Sequence, residues 1–138
     1  MPGSLHPESV RKAGEVADAH KEAFRRALDM GVRIAFGTDQ GVGPHGRNAE
    51  ELEHMVEAGM TPMQAIVAVT KTASECIHMS KEIGTLEPGK LADLLIVDGD
   101  PLADISILKD RERLRLIMQG GRVHKNALET RATAGVKV

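Results

Sequence analysis

The sequence predicts an α/β fold, on three observations. Apolar residues recur at helical spacing over residues 7–30, and Gly31 then leads into a short apolar run at residues 32–36. Two helix-start signals follow in residues 48–64, and short strands separated by glycine and proline dominate beyond about residue 80. With 138 residues, the chain has room for one ordinary domain. A complete eight-fold α/β barrel takes about 250 residues.

The first two elements form the helix–strand half of an α/β repeat. Ala17, His20 and Phe24 share one face of the predicted helix, and charged residues occupy the other faces. Gly31 is expected to cap its C-terminus, because glycine adopts the left-handed conformation at little cost. The sequence Val-Arg-Ile-Ala-Phe at residues 32–36 lies between two glycines and predicts a short buried strand.

Two more helices are predicted from capping signals. Asn48 and Glu51 have the spacing of a capping box, and the helix they begin is expected to end at Gly59. Thr61, Pro62 and Gln64 form a second start signal. The apolar face of that helix is expected to consist of Ile66, Val69, Thr70, Ala73 and Ile77.

Beyond residue 80 the sequence is rich in turns. One strand is predicted at residues 91–97, and "LRLIMQGGRVHK" predicts two strands joined at Gly120-Gly121. The expected organisation is therefore an α/β part at residues 1–80, a β part at 81–125 and a polar, frayed tail at 126–138.

Composition excludes several classes of function. The net charge is -2 and the 18 basic residues are dispersed, so neither a nucleic acid nor a membrane is an expected partner. The single cysteine fits a reducing compartment, and no apolar run has the length of a membrane span. The N-terminus lacks the basic-then-apolar order of a signal peptide, so a soluble cytoplasmic protein is expected.

Asp39 follows the predicted strand in the stretch "GVRIAFGTDQG". Ligand-binding and catalytic groups of α/β sheets lie just beyond the carboxyl ends of strands. A carboxylate placed there could bind a divalent cation or accept a proton. Alternatively, Asp39 caps the loop or the next helix, and spacing alone leaves both readings open.

His45 lies six residues further along the same glycine-rich loop. Its neighbours Pro44 and Gly46 favour an exposed turn in which the imidazole could contact a ligand. It could equally be an ordinary surface histidine. The sequence contains no HxH, HExxH or CxxC motif, whereas most catalytic metal sites use three protein ligands.

Four ordered motifs identify a family resemblance. The stretches "GVRIAFGTDQG", "HGRNAEELEHMVEAGMTPMQAIVAVTKTASE", "IGTLEPGKLADLLIVDGDPLADI" and "LIMQGGRVHK" resemble the C-terminal portion of the metal-dependent amidohydrolase superfamily. The imidazolonepropionase-like and Xaa-Pro dipeptidase-like branch is the most similar.

The resemblance implies a C-terminal fragment of a (β/α)₈ barrel with part of a small β-sandwich beside it. Residues 7–30 correspond to the seventh barrel helix, 32–36 to the eighth strand and 62–79 to the last barrel helix. Residues from about 83 to 125 then correspond to the C-terminal strands of the sandwich.

The resemblance also implies a chemistry. Asp39 matches the aspartate that binds the catalytic metal and carries a proton, and His45 matches a histidine beside the substrate pocket. The complete enzyme would use a divalent metal, zinc being expected, to hydrolyse amides, dipeptides or cyclic amides. The family's HxH motif, its carboxylated lysine and its other histidine ligands have no counterpart in this sequence.

Two hypotheses follow from this incomplete ligand set. The chain alone is expected to bind no metal and to be inactive, as part of a hydrolase that acts on carbon–nitrogen bonds. The alternative is a non-catalytic structural or interaction module. Unpaired strand edges would then drive homo-oligomerisation or association with a complementary chain.

Overall fold

A computed structural model describes residues 6–39, 41 and 45–128. The chain divides into two compact units, Met1–Arg33 and Ile34–Val138. The expected boundary near residue 80 stays a prediction. Of the expected frayed tail, residues 129–138 lie outside the described residues, and Asn126 ends a strand.

Helix α1, Pro7–Asp29, confirms the first predicted helix. His6 caps it by accepting from the Glu8 amide, and Pro7 supplies the first turn. At the other end, Gly31 has a φ of 71° and its amide donates to the Leu28 carbonyl, as expected for a glycine cap. Along the predicted apolar face, Phe24 is partly buried, whereas Ala17 and His20 are exposed.

The strand predicted at residues 32–36 is not formed in the described structure. Residues 34–36 are partly buried, but the Phe36 amide donates to the Ala68 carbonyl of a helix at 3.1 Å rather than to a neighbouring strand. Strand formation needs a pairing partner, and no strand of the described residues pairs with this segment.

Helix α2, Glu50–Glu57, begins two residues after Asn48 and corrects the predicted capping box. Its N-cap is Ala49, without a side-chain hydrogen bond, because the helix begins one residue later than the capping box requires. The Asn48 side-chain amide donates to Thr38. The predicted end is nearly right, since Ala58 is the C-cap and Gly59 follows it with a φ of 121°.

A continuous helical stretch follows, consisting of α3, Pro62–Val67, a π-helical segment, Ala68–Thr72, and α4, Ala73–Cys76. Thr61 and Gln64 form the predicted capping box. The buried face differs from the prediction: Ala65, Ala68 and Ser74 are buried, whereas Ile77 is exposed. The wider π turn changes the angular spacing of the side chains, which a uniform period of 3.6 does not represent.

The β part contains a three-stranded antiparallel sheet in the order β1–β2–β3: β1, Leu94–Val97, β2, Leu114–Gln119, and β3, Arg122–Asn126. β1 is shorter than the predicted strand at 91–97. The β2–β3 hairpin confirms the turn at Gly120-Gly121, where both φ angles are positive, 55° and 78°. Two positive φ angles are what a tight two-residue hairpin requires.

The second unit has a small core that draws on residues before and after residue 80. A short 3₁₀ helix, Ile105–Lys109, packs against α2. The buried apolar residues are Leu52, Met55, Ala58, Met60, Ala65, Ala68, Ile105, Ile107 and Leu116. This packing fixes α2, and therefore the far end of the loop that carries Asp39 and His45.

No helix within the described ranges is long and apolar enough to cross a bilayer.

Candidate functional site

Residues 32–38 form neither helix, strand nor turn, and this stretch is here called the extended segment. Asp39 follows it and lies in the left-handed region, with a φ of 46°. Few residues other than glycine adopt this conformation, and aspartate is one of the better tolerated. Asp39 is exposed, so its carboxylate is accessible to solvent.

A hydrogen bond joins the two ends of the loop that contains Asp39. The Asn48 side-chain amide Nδ2 donates to the Thr38 hydroxyl Oγ1 at 3.0 Å, across a separation of 10 residues. On one side, the Phe36 amide holds the extended segment to the Ala68 carbonyl. Asp39 and His45 thus lie inside one loop whose ends are connected.

His45 lies in a turn and is exposed. Next to it, Gly46 has a φ of 90°, and a Cβ added there would lie 2.7 Å from a guanidinium nitrogen of Arg111. Arg111 belongs to the β part, so a cation from that part lies beside the backbone of the site loop. His45 is therefore the neighbour of Gly46, whose backbone lies beside the Arg111 guanidinium.

Charged groups continue from this loop onto α2. The Arg47 Nε donates to Glu50 at 2.8 Å, which raises the pKa of Arg47 and lowers the pKa of Glu50. Lys109 donates to Glu53 at 2.7 Å, and this hydrogen bond raises the pKa of Lys109. The second pair joins the 3₁₀ helix to α2 across 56 residues of sequence. Both pairs are accessible to solvent, so they orient these elements more than they stabilise them.

The described residues do not supply a complete metal site. They contain no group of three or more histidine, cysteine, aspartate or glutamate side chains that could hold a metal ion. A catalytic zinc needs about three protein ligands, and Asp39 is the one that the family resemblance predicts in this sequence. An exposed carboxylate could contribute one ligand to a site that is completed from elsewhere.

Sequence reasoning missed two contacts around this loop. Asn48 was assigned to helix capping, although the polar pair Thr38 and Asn48 at the two ends of a glycine-rich loop could have suggested a bond across it. Arg111 gave no such signal, because its proximity to Gly46 depends on packing between distant segments.

The chain belongs to the amidohydrolase family, whose sequence model matches residues 4–123. This confirms the resemblance drawn from the four motifs. The Asp39 loop, the capped helix α3 and strands β1 and β2 all lie inside the matched range, which ends within β3.

Three proteins of known name are similar to this chain in sequence or structure. The ochratoxinase of Aspergillus niger is 36% identical over 123 residues, which is 88% of this chain and 25% of that protein. The imidazolonepropionase of Geobacillus kaustophilus (strain HTA426) is 32% identical over 105 residues, covering 74% of this chain and 25% of that protein. A crystal structure of a Xaa-Pro dipeptidase, with methionine bound in its active site, superimposes with a TM-score of 0.78 at 40% identity over 87% of this chain and 29% of that one.

The chain spans about a quarter of the length of the curated relatives that it matches. Their names describe complete proteins, and most of each of those proteins has no counterpart in this sequence.

Proposed function

We propose that this chain forms the C-terminal part of a metal-dependent amidohydrolase active site. In this proposal α1 is the seventh helix of a (β/α)₈ barrel, residues 32–36 are its eighth strand and the stretch from α3 to α4 is its last helix. The three-stranded sheet is the C-terminal share of a small β-sandwich. The family match over residues 4–123 supports this assignment, as does an extended segment that leads from one helix to a carboxylate.

The observation that carries the proposal is the position of Asp39. Its carboxylate is exposed at the end of the extended segment, and the residue has a left-handed backbone conformation. A carboxylate at this place is accessible to a water molecule, and could accept a proton from it and pass that proton to a leaving amine. In the complete enzyme, Asp39 would also be one ligand of a divalent metal, for which zinc is the expected ion.

The proposed reaction is hydrolysis of carbon–nitrogen bonds in small amides, dipeptides or cyclic amides. The relatives include a dipeptidase and an imidazolonepropionase, which favours small substrates. His45 lies in the same loop as Asp39 and is exposed, so its imidazole is the proposed substrate contact.

The remaining ligands would come from segments that this sequence does not contain, in the same or a complementary chain. Among the described residues only Asp39 is a candidate ligand, and three are usual. We therefore expect the 138-residue chain on its own to hydrolyse no substrate.

A graft tests whether the chain acts as this part of an enzyme. The segment of the Aspergillus niger ochratoxinase that aligns with this chain, 25% of that protein, is replaced by the corresponding residues of this chain. The graft should bind zinc and hydrolyse that enzyme's own substrate, while the 138-residue chain with added zinc should not. A folded graft that retains zinc and has no activity would contradict the proposal.

Activity of the isolated chain would contradict its expected inactivity. The decisive result would be zinc-dependent hydrolysis of an acyl-proline dipeptide or a cyclic amide by the purified chain, abolished by Asp39→Ala. Persistence of the activity in the Asp39→Ala variant would point to a contaminating hydrolase instead.

The open edges of the sheet favour a second candidate function, a non-catalytic interaction module. β1 and β3 each pair on one side only within the described sheet. Leu95, Ile96 and Val123 are 52%, 41% and 46% exposed, and exposed apolar strands favour association. The preferred partner in this reading is a second copy of the chain, joined edge to edge.

Sedimentation velocity separates the two candidates. The interaction module predicts a concentration-dependent dimer that Ile96→Lys converts to monomer, with Lys81→Ala on an exposed loop as the control. A monodisperse monomer at all concentrations, with a cooperative thermal transition, would exclude this second candidate.

A further inference from the structure

The side chain of Asn48 forms a hydrogen bond that is part of neither helix α2 nor the proposed reaction. Asn48 precedes α2 but does not cap it, since the N-cap is Ala49 and no side chain accepts from the first-turn amides there. Its side-chain amide instead donates to Thr38 Oγ1 at 3.0 Å. The Asn48 side chain thus contributes to the loop and not to the helix that it adjoins.

Both partners of this hydrogen bond are attached to packed structure. On the Thr38 side, the Phe36 amide donates to the Ala68 carbonyl at 3.1 Å, and Ala68 is buried. On the Asn48 side, the Asn48 carbonyl accepts from the Glu51 amide, one residue before the buried Leu52. The bond therefore connects two anchored points and closes the loop between them.

The closed loop contains the two residues proposed to meet substrate. Asp39 is the immediate neighbour of Thr38 and adopts a φ of 46°. A residue in this conformation relaxes when its neighbours are free to move, because the left-handed region is less favourable for residues other than glycine. Fixing Thr38 restricts that relaxation, and fixing Asn48 limits the reach of His45.

We propose that Asn48 is a positioning residue, whose hydrogen bond to Thr38 holds the Asp39 carboxylate and the His45 turn in the arrangement that the active site uses. This inference rests on the proposed function of Asp39. The existence of the hydrogen bond is a separate claim, and it can be measured in the isolated chain without any catalytic activity.

The side chains of Thr38 and Asn48 allow the hydrogen bond to be removed or retained by single substitutions. Thr38 contributes a hydroxyl as acceptor, so Thr38→Val removes the bond at nearly constant shape, whereas Thr38→Ser retains it. Asn48→Ala removes the donor. Since a single exposed hydrogen bond has a modest net strength, each loss should raise the population of the open loop by roughly 2- to 10-fold.

Backbone ¹⁵N order parameters, measured by NMR in the 138-residue chain, test the bond. The order parameters of Asp39 and His45 should fall in Asn48→Ala and in Thr38→Val, and stay at the wild-type value in Thr38→Ser. The order parameter of Met55 in α2 is the internal control and should not change. The double variant should show no larger fall than either single variant, because both remove the same bond.

Two results would overturn the proposal. One is unchanged order parameters at Asp39 and His45 in Asn48→Ala. The other is an additive fall in the double variant, which would show that the two side chains act independently. If Asn48→Ala unfolds the chain, seen as a fall in the order parameter of Met55, the comparison of Thr38→Val with Thr38→Ser decides the question alone.

The grafted enzyme then separates this inference from the proposed function. Asn48→Ala should lower kcat with little change in KM, and Thr38→Ser should keep wild-type kcat. If the order parameters respond as expected but Asp39→Asn leaves the activity of the graft unchanged, the hydrogen bond is established and the proposed function is refuted. A graft that needs Asp39 but keeps wild-type kcat in Asn48→Ala would refute the positioning role alone.

Discussion

Gly84 occupies a position that has no room for a side chain. A Cβ there would lie 2.2 Å from Ser74 Oγ and 3.0 Å from the Thr70 carbonyl, and the backbone φ is 95°. Ser74 is itself buried and donates to the Lys71 carbonyl at 2.7 Å. The loop after α4 is therefore in direct contact with the π-helical segment.

Replacing Gly84 by alanine should destabilise the fold through both strain and overpacking. Gly89→Ala is the matched control, because Gly89 has a similar φ of 90° and no neighbouring atom within 4 Å of an added Cβ. Urea unfolding should show that Gly84→Ala costs about 1–3 kcal/mol more than Gly89→Ala, the usual range for overpacking. Equal losses in the two variants would show that strain alone matters.

Asp104 is expected to make the free energy of unfolding depend on pH under acidic conditions. Its carboxylate accepts from the Ser106 amide at 2.9 Å, and hydrogen bonds from the Ser106 side chain and amide lower the pKa of Asp104. A lowered carboxyl pKa stabilises the folded state above the unfolded pKa, and this contribution is lost as pH falls through the folded pKa.

Urea midpoints measured from pH 7 down to about pH 2.5 should therefore fall on the acid side. Asp104→Asn keeps an acceptor oxygen but cannot titrate, so its acid-side fall should be smaller than that of the wild type. The pKa values of Glu50 and Glu87 are also lowered, so part of the slope should remain. An identical slope in wild type and variant would contradict the assignment to Asp104.

His45 should affect binding more than turnover if its imidazole contacts substrate. In the grafted enzyme, His45→Ala should raise KM by roughly 2- to 10-fold, the loss of one hydrogen bond, and leave kcat nearly unchanged. His54→Ala is the control, since His54 lies exposed on α2 and pairs with Glu57 at 3.5 Å. A fall in kcat alone would assign His45 a role in the chemical step.

At the scale of elements, the two start signals that the sequence suggested have different outcomes. Thr61 caps α3 through a complete capping box, in which it accepts from the Gln64 amide at 3.2 Å and its own amide donates to Gln64 Oε1 at 2.8 Å. Asn48 has the same sequence signature but bonds to Thr38. Local spacing cannot distinguish these cases, because the residue at which a helix begins also depends on packing with other segments.

Thr61→Ala should lower the free energy of unfolding by about 1 kcal/mol, the typical loss for a helix cap. Thr61→Ser retains the hydroxyl and should be close to wild type. Urea unfolding monitored by circular dichroism measures both. A loss as large in Thr61→Ser as in Thr61→Ala would show that the methyl group, and not the cap, is important.

Elements defined by short-range signals were predictable from sequence. Helix α1, the Thr61 box and the Gly120-Gly121 hairpin all depend on residues a few positions apart. The strand at residues 32–36 was predicted but is not formed, because its partners lie on other segments. The π-helical segment and the buried face of Ala65, Ala68 and Ser74 also depend on packing that a helical period does not encode.

At the scale of the whole molecule, the sequence proposes residues for the candidate site, and their role stays a prediction. Asp39 and His45 could be singled out from a glycine-rich loop and a family resemblance. Their connection through Thr38 and Asn48, and the proximity of Arg111 to Gly46, required the three-dimensional structure. The described residues offer one candidate metal ligand of the three that are usual, and the relatives are about four times as long as the matched segment.

The central claim is that Asp39 performs the chemistry of a larger amidohydrolase active site. The most direct test compares kcat/KM of the ochratoxinase graft with and without Asp39→Asn, with zinc content measured in each and Asp18→Asn on α1 as the control. Loss of a positioned acid–base group should lower kcat/KM by at least about 100-fold, while the control stays at the level of the graft. A kcat/KM that remains within about twofold of the graft, in a folded variant with unchanged zinc content, would contradict the claim.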